Sequence, residues 1–205
     1  MFQRQFECPS CGAPVIQQHA ASRSIVCGYC HQTSHILPAG QLAAAGAQHL
    51  LVDYGSWLSI GKTVSLAGSE YLILGRIRMN YEDGFWDEWF LRSQDGAEGW
   101  LQEDDGSFVF FRQTKVLDHR LLLDEIPVGV RINLGSGIGE VFTTSKSTAT
   151  VEGGEGELPF RIKPGDPADF IEGLQKGQIL SVELLPEDHI VFTGYTISLD
   201  QLQIA

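Results

Sequence analysis

The sequence lacks any apolar run long enough to cross a membrane as a helix. A spanning helix needs about 20 consecutive apolar residues, so we expect a soluble protein without a transmembrane segment. The first seven residues, MFQRQFE, also lack the apolar core of a secretory signal. These absences predict a cytoplasmic protein that would associate with a membrane only indirectly, through a partner.

Basic residues are scarce, with 14 Lys and Arg against 26 Asp and Glu, for a net charge of −12. The charged residues among the first 50 positions are Arg4, Arg23 and Glu7. The rest of the chain therefore contains 12 basic and 25 acidic residues. Nucleic-acid binding requires clustered Lys and Arg to neutralise phosphates. The composition therefore disfavours nucleic acid and favours cationic partners.

Only four cysteines are present, as the pairs Cys8-Pro-Ser-Cys11 and Cys27-Gly-Tyr-Cys30, separated by 15 residues. Two such pairs at this spacing are typical of a zinc ribbon, in which four thiolates close a tetrahedral structural site. A reversible thiol switch is the main alternative, and two disulfides would require an oxidising compartment. We predict one structural Zn²⁺ held by all four cysteines.

The chain divides by composition into three parts. Residues 1–37 contain the four-cysteine zinc ribbon, and residues 38–55 are an Ala-rich linker that could contain a short helix. From residue 56 to residue 205, short alternating segments are separated by turn sequences such as Asp-Gly. We predict a mainly β protein: a small zinc ribbon followed by an acidic antiparallel β barrel or sandwich. A capped helix is also predicted from Asp166.

The segment FWDEWF at residues 85–90 is the most unusual part of the β region. A five-residue turn over residues 80–84 predicts a hairpin in which Arg76 lies opposite Glu88 and Gly75 lies opposite Trp89. In one interpretation these residues only fix the register and brace a sheet. In the other, aromatic faces and carboxylates form a surface for a polyamine or a Lys/Arg-rich segment of a partner. The candidate binding residues are Arg76, Trp86, Asp87, Glu88, Trp89 and Trp100.

The sequence offers little support for catalysis. Asp87 and Glu88 are adjacent, so on a strand they face opposite sides and cannot work as a general acid and base. No Ser or Cys lies in the context of a nucleophile elbow. We therefore expect a protein that is not an enzyme. An uncharacterised hydrolase would need a deep pocket with convergent polar groups.

Several motifs of the β region resemble a bacterial family catalogued as a domain of unknown function, number four-one-seven-eight. The similarity includes Trp86-Asp87-Glu88-Trp89 and Gly99-Trp100-Leu101 and extends over about residues 57–203. A zinc ribbon ahead of this domain is a familiar arrangement in the family. The resemblance implies no known activity, and it suggests a link to membrane-stress or polyamine systems.

The leading hypothesis is a non-catalytic binding or scaffold protein in which a structural zinc ribbon precedes an acidic β domain that engages protein partners. The first alternative is a sensor that binds a polyamine or another small cation. A hydrolase is the third.

Overall fold

The computed structural model describes residues 2–66, 68–82, 84–135, 137–185 and 188–204. Within these ranges the chain is mainly β, with two single turns of 3₁₀ helix at Leu123–Glu125 and Leu199–Gln201. No helix among the described residues is long and apolar enough to span a membrane. The strands are β1 (Arg4–Glu7), β2 (Pro14–Gln17), β3 (Ser24–Val26), β4 (Thr33–Ile36), β5 (Leu42–Ala44), β6 (Thr63–Leu66), β7 (Ser69–Tyr81), β8 (Gly84–Ser93), β9 (Glu98–Asp104), β10 (Ser107–Val116), β11 (Arg131–Asn133), β12 (Glu140–Leu158), β13 (Pro167–Gln175), β14 (Gln178–Leu184), β15 (His189–Ile197) and β16 (Gln203–Ile204).

Eight antiparallel strands close into a barrel. The order is β7-β8-β9-β10-β15-β14-β13-β12, and β12 pairs back to β7 over residues 150–156. The mainly β class is confirmed, and its form is a barrel. Closure removes the exposed edges that an open sheet would leave, and eight strands leave an interior that side chains fill or that holds one small ligand.

Both faces of the barrel wall carry buried apolar clusters. Alternate residues of each strand point inward, where apolar side chains such as Ile77, Phe90 and Phe192 form the inner core. A second cluster lies outside β7–β10, where β6, β16 and Leu58 cover it. A third cluster lies outside β13–β15, beneath the segment that contains the first 3₁₀ turn and β11.

The N-terminal ribbon is joined to the barrel by backbone pairing. β3 pairs with the end of β12, where Leu158 lies opposite Ser24 and Glu157 lies opposite Ile25. β4 and β5 continue from β3, so they extend the same sheet, while β1 and β2 form a separate hairpin. Gly75 of β7 permits this junction, because a Cβ there would lie 1.9 Å from the Glu157 carbonyl oxygen.

An Ala-rich segment that could contain a short helix, and a second segment predicted to be helical, are both strands. In the Ala-rich region, Leu42–Ala44 forms β5 against β4, and Gly40 and Gly46 adopt positive φ angles at either side. These glycines favour turns over a continuous helix. The helix predicted from Asp166 was also wrong, because Pro167–Gln175 forms β13 between β12 and β14. Long-range pairing outweighs the local capping signal in that segment.

The predicted register of the β7–β8 hairpin was wrong by one residue. Tyr81 pairs with Gly84. The expected five-residue turn includes Asp83, which lies outside the described residues. Arg76 therefore lies opposite Trp89, and Glu88 lies opposite Ile77. Because a one-residue slip changes which residues are paired, the expected Arg76–Glu88 ion pair does not form.

Candidate functional site

The four cysteines lie together at the end of the ribbon. Their sulfur atoms are all within 4.8 Å of one another, with 3.6 Å between Cys8 and Cys30 and 3.8 Å between Cys11 and Cys27. A tetrahedron with metal–sulfur bonds of ~2.3 Å has edges of about 3.8 Å. The donor set therefore fits one four-coordinate metal ion that binds thiolates.

Two backbone turns place these sulfur atoms. In the first turn the Gly12 amide donates to the Cys8 carbonyl, and in the second the His31 amide donates to the Cys27 carbonyl. Burial raises the pKa of the Cys8 thiol, but the amides of Cys11 and Ser10 favour the thiolate and lower the pKa to about 7 overall. Amides that stabilise a thiolate also suit it as a metal ligand.

The barrel interior contains a cavity of about 210 Å³ at one end. Its wall combines aromatic rings with polar groups, and all eight barrel strands contribute to it. None of these lining residues, all within the described ranges, is Lys or Arg. The acidic and neutral polar residues at this end of the lumen are Glu88, Gln102, Asp104, Ser147, Glu172, Ser181 and Glu183.

Glu88 and Glu183 occupy the centre of the lumen, because both also line a second cavity of about 250 Å³ that shares Phe170 with the first. Burial raises the pKa of Glu88 to about 7. The Trp86 indole Nε1 donates a hydrogen bond to Glu88 Oε1 at 2.8 Å, which opposes this rise in pKa, whereas the negative charge of Asp87 adds to it. Burial and the negative charge of Glu88 raise the pKa of Glu183 well above its ordinary value. Near neutral pH the pair therefore carries less than two negative charges.

Asp104 and Glu172 lie nearer one end of the lumen. Burial raises the pKa of Asp104, and repulsion from Asp105 and Glu172 raises it further. The Glu172 carboxylate accepts a hydrogen bond from Ser145. Within the described residues, only the four cysteines bring three or more ligand atoms together at metal-binding distances. The lumen carboxylates are therefore too widely spaced to surround a single metal ion.

Aromatic rings frame the acidic groups. Trp86 meets Phe170 edge to face with 5.3 Å between ring centroids. Trp100 stacks on Phe160 at 5.3 Å and contacts Phe90 at 5.0 Å. Aromatic faces carry negative electrostatic potential and attract cations, so the rings and the carboxylates favour the same kind of ligand.

On the outer face of the same hairpin, Asp87 bridges two buried arginines. Arg78 donates from Nε and Nη2 to the Asp87 carboxylate at 2.8 Å, and Arg76 Nη2 donates at 2.7 Å. Arg76 also donates to Glu155 at 3.3 Å. Hydrogen bonding and attraction to Asp87 and Glu155 outweigh burial, so the pKa of Arg76 is raised.

The residues singled out from the sequence thus separate into two groups. Trp86, Glu88 and Trp100 line the lumen. Arg76, Asp87 and Trp89 lie on the outer face, where the Trp89 indole donates to Glu103. These three stabilise the sheet from outside and do not line the lumen cavity.

Sequence reasoning missed the partners contributed by other parts of the chain. These are notably Glu183, Glu172 and Asp104 on other strands, and Phe160 in the segment between β12 and β13. A weak signal existed in β14, where Ser181 and Glu183 alternate with the buried Leu180 and Val182. That alternation resembles an ordinary half-exposed strand. Only closure of the barrel turns the polar face inward.

Comparison with known protein families gave a match for most of the chain. A family model described as Domain of unknown function (DUF4178) matches residues 59–199. The matched span contains all eight barrel strands and none of the ribbon cysteines. The comparisons with curated proteins and with solved structures gave no match.

Proposed function

Because the chain belongs to the family described as Domain of unknown function (DUF4178), whose description names no activity, we propose a function from the geometry of the chain itself. The protein is a non-catalytic binding protein whose barrel lumen holds a small organic cation. The four-cysteine ribbon is its structural zinc module. One observation carries the proposal: Glu88 and Glu183 together line both cavities of an aromatic lumen.

A cation resolves the electrostatic problem that the lumen creates. Burial makes both carboxyl groups hold a proton more tightly, and the negative charge of Glu88 adds to this effect at Glu183. A bound ammonium group would donate hydrogen bonds to both groups and favour their ionised forms. The spacing of the carboxylates favours a linear amine with more than one ammonium group, such as a polyamine, over a metal ion.

Titration with spermidine at low salt tests this proposal. We expect saturable binding with a change in intrinsic tryptophan fluorescence, because Trp86 and Trp100 line the lumen. Trp86→Phe should weaken the response while it keeps the ring contact with Phe170. The matched control is Trp57→Phe, since Trp57 is 61 % exposed and lies outside the lumen. No saturable change at millimolar spermidine would contradict the proposal.

The ribbon site is proposed to hold zinc, because four thiolates in a tetrahedron are typical ligands of a structural zinc ion. A site closed by four protein ligands leaves no position for a reactant, so the role of the ion is structural. A four-thiolate zinc site persists where thiols remain reduced, which supports a cytoplasmic location.

Metal analysis of the purified protein is expected to find one zinc per chain. A strong chelator should expose the ribbon to protease, because its small core includes Cys8 and Cys27 themselves. The barrel strands provide the internal control and should stay protected. Iron in place of zinc, or an unchanged digestion pattern, would contradict the assignment.

A protein partner is the second candidate function. Tyr54 and Trp57 are 66 % and 61 % exposed and line a groove with Glu103 and Asp105. Exposed aromatics beside acidic groups suit a basic, partly apolar segment of another protein. Affinity capture with the native protein and with Tyr54→Ala/Trp57→Ala tests this candidate. A protein recovered equally by both versions would count against the groove.

A further inference from the structure

We propose that the metal state of the ribbon controls the lumen. The control acts through residues 158–163, called here the wall segment. This inference deepens the proposed cation-binding function and rests on it for its biological meaning. Its structural part, that the metal-bound ribbon holds the wall segment in place, can be tested without any ligand.

The wall segment forms part of the lumen. Phe160 and Ile162 line the cavity of about 250 Å³ together with Glu88 and Glu183. Phe160 stacks on Trp100, and Ile162 is buried in the inner core. Displacement of this segment would therefore remove one aromatic face from the cation site and admit water between the two carboxyl groups.

Ribbon residues hold this segment on both sides. The Arg23 amide donates to the Leu158 carbonyl at 2.9 Å, and the Ile162 amide donates to the Ser24 hydroxyl at 3.1 Å. The His35 ring nitrogen Nε2 lies 2.9 Å from the Ile162 carbonyl oxygen. Strand β12 ends at Leu158 and β13 begins at Pro167, so the chain between them lies outside the barrel ladder.

The strands that provide these contacts are anchored at the metal site. β3 ends at Val26, directly before Cys27, and the Cys27 amide donates to the Gln32 carbonyl just ahead of β4. The buried ribbon cluster comprises only Cys8, Val15, Ile25 and Cys27. So small a core cannot hold a domain without its metal. Loss of the ion is therefore expected to loosen β3 and β4, and with them the wall segment.

A buried carboxylate reinforces the link between ribbon and barrel. Glu157, next to the wall segment, accepts hydrogen bonds from the His19 amide at 3.1 Å and the Ser22 hydroxyl at 2.8 Å. The His19 ring lies 5.7 Å from the ring of Phe90 in the inner core. Because coupling between two binding sites is reciprocal, a cation in the lumen should strengthen zinc binding by the same factor that zinc strengthens cation binding.

Amide hydrogen exchange on the full chain tests the structural part. Chelation of the metal should accelerate exchange in residues 158–163 at least about tenfold, while β10 and β15 remain protected. Zinc re-addition should restore protection. Ser24→Ala should accelerate exchange of the Ile162 amide in the metal-loaded protein. Its control is Gln5→Ala, because Gln5 is an exposed residue of β1 in the same ribbon.

Spermidine titration of the metal-loaded, chelated and Ser24→Ala proteins tests the functional part. We expect the affinity for spermidine to fall in the chelated protein and in Ser24→Ala. We also expect the affinity for zinc to rise when spermidine is present. Unchanged exchange in residues 158–163 after verified metal loss would overturn the inference, and so would unchanged or tighter spermidine binding. If the metal-loaded protein binds no spermidine, the proposed function fails, and the exchange experiment alone decides whether the ribbon holds the wall segment.

Discussion

Replacement of Asp87 by alanine is expected to lower the free energy of unfolding by about 3–5 kcal/mol. Asp87 is 4 % exposed and accepts hydrogen bonds from both Arg76 and Arg78, which are 4 % and 1 % exposed. Without the carboxylate, two buried guanidinium groups repel each other and lose hydrogen-bond acceptors. Arg76 would keep Glu155, and Arg78 would keep the Val52 carbonyl, so the barrel need not unfold completely.

Urea denaturation of matched variants measures this effect. Asp87→Asn retains the shape and some hydrogen bonds but loses the charge, so it should fall between the native protein and Asp87→Ala. Glu70→Ala provides the control, because Glu70 is an exposed carboxylate on the same β7 strand. A loss smaller than about 1 kcal/mol for Asp87→Ala, the range of surface ion pairs, would show that the arginines find other partners.

Glu88→Gln is expected to stabilise the ligand-free protein above pH 7 by about 1–3 kcal/mol. This range is smaller than the full pKa shift implies, because the Glu88 side chain is only partly buried. The pKa of Glu88 is raised to about 7, against 4.5 for the ordinary group. The folded state therefore binds the proton more tightly than the unfolded state. The stabilising contribution is fully present below pH 4.5, and it is lost as the pH rises to about 7.

Thermal or urea unfolding from pH 4 to pH 9 tests the direction of this pH dependence of stability. The difference in stability between Glu88→Gln and the native protein should grow between pH 4.5 and pH 7 and then remain constant. Glu183→Gln should show the same direction, because burial and Glu88 raise its pKa. Gln102→Glu is the matched opposite change in the same lumen and should destabilise at high pH. A difference independent of pH would mean that folding does not shift the pKa of Glu88.

Local sequence spacing predicted those parts of the structure that depend on few residues. The spacing of Cys8, Cys11, Cys27 and Cys30 predicts a shared site because one tight turn places each pair. Ser198 and Gln201 also have the spacing of a capping box, and a single 3₁₀ turn forms there, in which the Gln201 side chain accepts a hydrogen bond from the Ser198 amide. Each of these signals is complete within a short segment.

The lumen could not be predicted in the same way, since it depends on contacts distant in the chain. Glu88 and Glu183 become neighbours only when β12 pairs with β7 and closes the barrel. The hairpin register was wrong for a related reason: the favoured turn length was judged from local residues, whereas β12 and β9 also pair with the two strands. The proposed role of Glu88 in cation binding accounts for its expected destabilising effect above pH 7. A group that is placed to bind a ligand can destabilise the protein when the ligand is absent.

Calorimetric titration of spermidine at pH 7, in two buffers with different ionisation enthalpies, tests the central claim most directly. A cation bound between Glu88 and Glu183 should expel the protons that these groups hold near neutrality, so the observed heat should depend on the buffer. Glu88→Gln/Glu183→Gln should bind at least about tenfold more weakly and release no protons. No binding to the native protein, or equal binding and equal proton release in the double variant, would contradict a cation site in the lumen.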